Sequence, residues 1–188
     1  MVITADQVKA LREKTGAGIM DSKRALQETD GDMGRAESLL KQQGLAKAGR
    51  KGDREALQGV IEPYVHGGRI GALVEVNCET DFVARTQDFK TLAHDIAMQV
   101  AAMNPRYIAR DDVPESDIPK LEAEYGSRDD AFKAVVLLDQ TFIRDSKSTI
   151  GDLVKNGIAK LGENIQVTRF SRFEVGADRP AAEATVEA

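Results

Sequence analysis

The sequence predicts an α+β protein: an N-terminal module of three short helices, followed by a larger domain in which helices pack on an antiparallel sheet. Three observations carry that prediction. Apolar residues in the first 44 positions recur at helical spacing, and the period changes to two around His66-Gly67-Gly68-Arg69. Beyond the change, Phe89, Leu92, Ala93, Ile96, Ala97 and Val100 fall on one face of a helix that begins near Asp88.

Taken in order, the first helix opens at Thr4-Ala5-Asp6-Gln7, whose Thr and Gln match a capping box, and it places Val8 and Leu11 on one face. Gly16-Ala17-Gly18 breaks it, and a second helix starts near Ile19 and carries Leu26. Asp30-Gly31-Asp32 reads as a turn with an N-cap, after which Ala36, Leu39 and Leu40 keep helical spacing until Gly44, the expected stop. So small a core predicts that the module, residues 1–44, rests on a partner or on the rest of the chain.

Residues 45–56 read as a solvated basic linker, because Lys41, Lys47, Arg50, Lys51 and Arg54 face only Asp53 and lie among Gly44, Gly49 and Gly52. The core domain is expected over 57–176. Val60, Tyr64 and Val65 lead into the Gly-Gly turn, and Ile70, Ala72, Val74 and Val76 then alternate with Gly71, Leu73 and Glu75, which is a β-hairpin. Asn104-Pro105 ends the long helix. Residues 111–130 are acidic, with Pro114 and Pro119 and a short helix expected at Leu121 to Tyr125; Ala131 to Leu138 suits a helix end or a strand. Ile150 to Leu161 reads as helix and Ile165 to Val175 as strand, while 177–188 has no apolar core and is expected to be disordered.

Composition narrows the function classes. The chain has 188 residues, 41% hydrophobic and 30% charged, with no apolar run near the roughly 18 residues that a membrane-spanning helix needs. A formal net charge of −5 argues against a broad nucleic-acid surface and for a protein partner. The N-terminus lacks the pattern of a secretory signal and Cys78 is the only cysteine, so a cytoplasmic protein without an intrachain disulfide is expected.

Catalytic motifs are missing. His66 and His94 with one cysteine between them do not make a zinc set, and Gly16-Ala17-Gly18 lacks the Gly-Lys-Ser/Thr of a phosphate loop. Cys78 has no basic helper nearby and reads as a buried small hydrophobe, and no nucleophilic serine motif accompanies His66. Neither cofactor nor metal is expected, and the protein is not expected to be an enzyme. Thr80-Asp81-Phe82-Val83, between a strand end and a helix start, supports two readings. Either Phe82 packs inward and Asp81 caps the helix, or Phe82 is an aromatic wedge for a slot on a partner and Asp81 brings negative charge with it.

Two motifs carry a resemblance. Leu11 through Asp21, including Arg12, Gly16, Ala17, Gly18, Ile19 and Met20, is similar to the N-terminal signature of the elongation factor Ts family. Glu75 through Arg85 resembles that family's core motif, and the likeness continues through Asp95 to Met98, Asn104 to Tyr107, Gly162 to Ile165 and Arg172 to Val175. It implies a module similar to ubiquitin-associated domains, a dimerisation domain, and elongation factor Tu as partner. Thr80, Asp81, Phe82 and Val83 would then intrude on that GTPase and dislodge its magnesium, while the N-terminal signature docks on its G domain.

Departures from the family pattern are informative. The stretch from Pro119 to Lys133 is shorter than in familiar members. Tyr64 through Gly71 resembles a loop of the second core subdomain of longer members, whereas Thr80 to Val83 resembles one of the first, and this chain has one of each. A homodimer is therefore expected, with one protomer offering Asp81 and Phe82 and the other completing the contact through His66. Ser171 removes any expectation of a disulfide at the last strand. Two rival readings are a plain interaction module and an RNA-associated factor using Lys41 to Arg54.

Overall fold

The computed structural model describes residues 3–15, 17–49 and 51–177. Helix α1 (Ala5–Thr15) begins at the expected capping box: the Gln7 amide donates to Thr4 Oγ1 at 3.2 Å and the Thr4 amide to Gln7 Oε1 at 2.9 Å. Helix α2 (Ile19–Glu28) ends in a turn where Asp30 and Gly31 take φ of 53° and 82°, and Asp32 Oδ1 then accepts from the Arg35 amide at 2.9 Å to start α3. Leu11, Ala25, Leu26, Ala36 and Leu40 form the buried centre of the module.

Helix α3 (Met33–Gly49) does not stop at Gly44. The reason is packing: α3 lies against the core domain's α8 (Ile150–Leu161), and a Cβ at position 44 would stand 3.0 Å from that of Ala159. Glycine serves here for close helix approach, and the burial offsets its propensity cost of about 1 kcal/mol. Five residues read as linker are therefore helical. The next few are mostly exposed, as a solvated linker should be, but also tied to the core domain, since Lys51 Nζ donates to the Gly162 carbonyl and Asn164 Nδ2 donates to those of Gly52 and Arg54 at 3.2 and 2.6 Å. Arg50, and all of the expected disordered tail except Ala177, lie outside the described residues.

Strands β1 (Gln58–His66) and β2 (Ile70–Cys78) form the predicted hairpin, with Gly67 and Gly68 at φ 55° and 67°, the double left-handed turn that two glycines allow. Strand β5 (Ile165–Glu174) pairs antiparallel with β2, giving the order β1-β2-β5. The sheet's inner face presents Ala72, Val74 and Val76 to α5 (Gln87–Met103), whose Phe89, Leu92, Ala93, Ile96, Ala97 and Val100 are buried as the periodicity requires. Helix α5 ends at Asn104, in the left-handed conformation at φ 47°. Ile61, Val65, Leu73 and Phe173 stand exposed on the opposite face, and Phe173 is 68% accessible.

The acidic stretch folds as α6 (Ile118–Tyr125) and α7 (Arg128–Val135) around a second buried group that includes Val113, Leu121 and Phe132, so the ambiguous residues 131–135 are helix. Two elements were not expected. The single-turn α4 (Asp81–Ala84) is too short to show a period. The hairpin β3 (Thr141–Phe142) and β4 (Asp145–Thr149) is mostly polar; Phe142 joins the main core, and the buried Gln99 bonds through its amide group to Thr141 O at 3.1 Å and to the Ile143 amide at 3.0 Å.

A capping box opens α8, where the Asp152 amide donates to Thr149 Oγ1 at 3.1 Å and Asp152 Oδ2 accepts from the Thr149 amide at 3.0 Å. That backbone hydrogen bond holds the Asp152 carboxyl below its ordinary pKa. A depressed folded-state pKa adds stability above the unfolded value, near 3.9, and the gain is lost as pH falls through the folded one. Asp152→Asn should thus cost about 0.3–1.5 kcal/mol in urea unfolding at pH 7, with the gap from wild type closing below about pH 4.

Candidate functional site

The end of β2 runs straight into the candidate segment. Cys78 is buried and unpaired as expected; its thiol donates to the Thr80 carbonyl at 3.1 Å, and burial pushes its pKa up. Thr80, in extended conformation, is the N-cap of α4, with Oγ1 accepting from the Val83 amide at 3.4 Å. The cap is therefore Thr80 and not Asp81. Val83 turns inward against the main core and its carbonyl accepts from Thr86 Oγ1 at 2.8 Å, while Thr86 in turn caps α5.

This arrangement divides the four residues. Thr80 and Val83 are spent on local structure; Asp81 and Phe82 point to solvent. Phe82 is 84% exposed, so the inward-packing reading of it is wrong. Its orientation follows from the two threonine caps, which fix a single turn of helix that four residues could not hold by themselves. Asp81 Oδ2 lies 2.7 Å from Arg85 on the same exposed surface, a pair that solvent leaves weak and easily exchanged.

Behind the segment lies a network that joins two of the stretches carrying the resemblance, Glu75 to Arg85 and Gly162 to Ile165. Glu163, in the turn between α8 and β5, accepts from the amides of Glu79 and Thr80 at 3.1 and 3.0 Å, and from Thr80 Oγ1 at 2.6 Å. Glu79 Oε1 accepts from the Asn164 amide at 2.6 Å and faces Arg54 at 3.5 Å. The partners of Glu163 and Asn164 in this network are more than 80 positions away in sequence, brought close by pairing of β2 with β5, Cys78 opposite Ile165.

The N-terminal residues divide as well. Arg12 and Ile19 line one groove together with Ile3, Val8 and Lys23, and Ile19 and Met20 are 60% and 70% exposed, leaving apolar surface at the start of α2. Ala17 and Gly18 instead line a cleft between the module and the end of α8. Gly16 lies outside the described residues. His66 sits at the hairpin turn, stacked beside Tyr64, whose hydroxyl is 3.4 Å from His66 Nδ1. The length of β2, about 27 Å for nine residues, separates it from Phe82, so one chain does not bring them together.

The family model described as Elongation factor TS matches residues 49–127. The chain is 50% identical to a protein named Elongation factor Ts from Carboxydothermus hydrogenoformans, over 93% of this chain and 90% of the relative. It is 51% identical to the protein of that name from Syntrophomonas wolfei subsp. wolfei, over 93% and 91%. A third, from Thermodesulfovibrio yellowstonii, is 47% identical over 94% of this chain and 98% of the relative.

Proposed function

This chain belongs to the elongation factor Ts family, with a role in translation elongation, and from that premise we propose that it is a guanine-nucleotide exchange factor for elongation factor Tu, acting in the cytoplasm. The observation that supports this reading best is Phe82, an exposed aromatic ring beside a carboxylate on a turn held firmly from behind. An aromatic anchor of this kind suits a slot on a partner. Asp81 would arrive with it and place negative charge near the GTPase's magnesium. A displaced cation no longer offsets the β-phosphate charge, and GDP is released faster.

No covalent step is needed, and hence no catalytic acid or base. Coupling is reciprocal: the factor by which this protein weakens GDP on the GTPase is the factor by which GDP weakens this protein. Abundant GTP then rebinds and displaces it. Arg12 and Ile19, which line the groove, and the exposed Met20 provide a second contact that docks on the G domain.

The same reading makes the protein a homodimer. Ile61, Val65, Leu73 and Phe173 form an exposed apolar face on a sheet whose opposite face packs on α5, and a second copy's equivalent face would cover it. His66 of the second protomer could then serve the partner bound by the first protomer's Phe82. Leu73→Glu should convert the dimer to a monomer in sedimentation velocity and weaken exchange; a wild type that sediments as a monomer and is fully active overturns the dimer. The function itself is tested by stopped-flow release of a fluorescent GDP from elongation factor Tu. Acceleration by this protein is expected, and a folded protein that leaves the rate unchanged would instead be a binding module.

A further inference from the structure

We propose that Glu163 is a positioning residue for nucleotide exchange, its carboxylate setting where Asp81 and Phe82 stand; this rests on the exchange reading above. Among the described residues, the hydrogen bonds that Glu163 accepts come from the two residues leading into α4, the Glu79 and Thr80 amides at 3.1 and 3.0 Å and Thr80 Oγ1 at 2.6 Å. No salt bridge to Glu163 occurs among the described residues. A carboxylate accepting from two consecutive amides and a hydroxyl makes charge-assisted bonds, the strong class, and it fixes direction as well as distance.

The arrangement is reciprocal. Glu79 accepts from the Asn164 amide at 2.6 Å, so each of the two turns donates its backbone to the other's carboxylate. The apolar core beneath is already closed by Val76, Cys78, Phe89 and Ile165, all fully buried or nearly so. Val83 and Ala84 anchor the far end of the turn in that core, and what the carboxylates add is restraint on Glu79 and Thr80, the polar residues that lead into it. Phe82 follows two positions after Thr80, on a helix of one turn whose direction is inherited from its cap. A mobile loop would have to be ordered each time Phe82 entered its slot, and rigidity removes that cost before binding.

The consequence is a specific split in the kinetics. The N-terminal groove, which shares no residue with this network, supplies docking; Glu163 governs what the wedge does after docking. In stopped-flow release of fluorescent GDP at rising concentrations of the full-length protein, Glu163→Ala should lower the plateau rate at least about tenfold. The half-saturating concentration should move less than about threefold. Glu163→Gln, which keeps the volume and one acceptor oxygen, should fall between. On a Phe82→Ala background, Glu163→Ala should cost almost nothing further, since there is no longer a wedge to position.

Circular dichroism melts accompany each variant. If folded Glu163 variants keep the wild-type plateau while Phe82→Ala loses it, the positioning role is overturned and the exchange reading stands. A loss that is equally large on the Phe82→Ala background marks a merely structural role and also overturns it, as does unfolding of both Glu163 variants. If Phe82→Ala leaves the rate unchanged, the exchange reading fails and the positioning role goes with it.

Discussion

Replacing Phe82 by alanine should remove about 2–4 kcal/mol of interaction with elongation factor Tu's transition to the nucleotide-free form, a roughly 30- to 1,000-fold loss in the acceleration of GDP release. Its melting curve should be nearly that of wild type, because a side chain 84% exposed adds little to the fold. The expected change in unfolding free energy is within about 0.5 kcal/mol. Asp81→Ala should act in the same direction by less, since its side chain's polar partner among the described residues is the exposed Arg85 and a solvated charge contributes less than a buried aromatic anchor. Stopped-flow release from the GTPase, with both variants beside wild type, reads these effects directly. A Phe82→Ala protein that still exchanges at the wild-type rate removes the wedge from the mechanism.

The second large effect is opposite in kind and only seven positions away. Phe89 is fully buried under the sheet, on the face of α5 that meets Val74 and Val76. Its truncation to alanine leaves a cavity in the main core and should cost about 3–5 kcal/mol in urea unfolding. Exchange should fall only in proportion to the fraction of protein still folded. Comparing Phe82→Ala with Phe89→Ala therefore separates loss of function from loss of fold, with the same chemical change made on the two sides of one turn.

Much of the fold was legible because its causes are local. The capping box at Thr4 and Gln7, the Gly67-Gly68 turn and the buried stripe on α5 each need only a few neighbouring residues to be read, and each stands where the pattern placed it. Helix α3 is the instructive failure. Gly44 read as a stop because glycine is a poor helix former, but the residue that gives it a purpose is Ala159, on another element of the tertiary fold. The hairpin β3–β4 shows no alternation of apolar residues, and a buried glutamine on α5 supports it.

The candidate site was legible in part. Its location at a strand end before a helix was readable from the sequence, and so was the pairing of an aromatic with a carboxylate. The direction of Phe82 was not, since a phenylalanine at that boundary suits the core as well as the surface until Thr80 takes the cap and Val83 takes the inward position. Glu163 lies in the Gly162 to Ile165 stretch that shares in the resemblance, but its residue type gave no role, for a glutamate in a turn is ordinarily only solvated.

By itself, then, the sequence determined the order and kind of most elements, the resemblance that names the family, and the two motifs in which partner contacts are sought. Only the tertiary structure decided which side chains of those motifs face outward, that His66 and Phe82 stand at opposite ends of one strand, and that a carboxylate 83 residues away straps the loop between β2 and α4. The physical reason is range: helical and strand periods arise from neighbours along the chain, whereas the direction of an exposed side chain depends on which distant groups satisfy the backbone beside it.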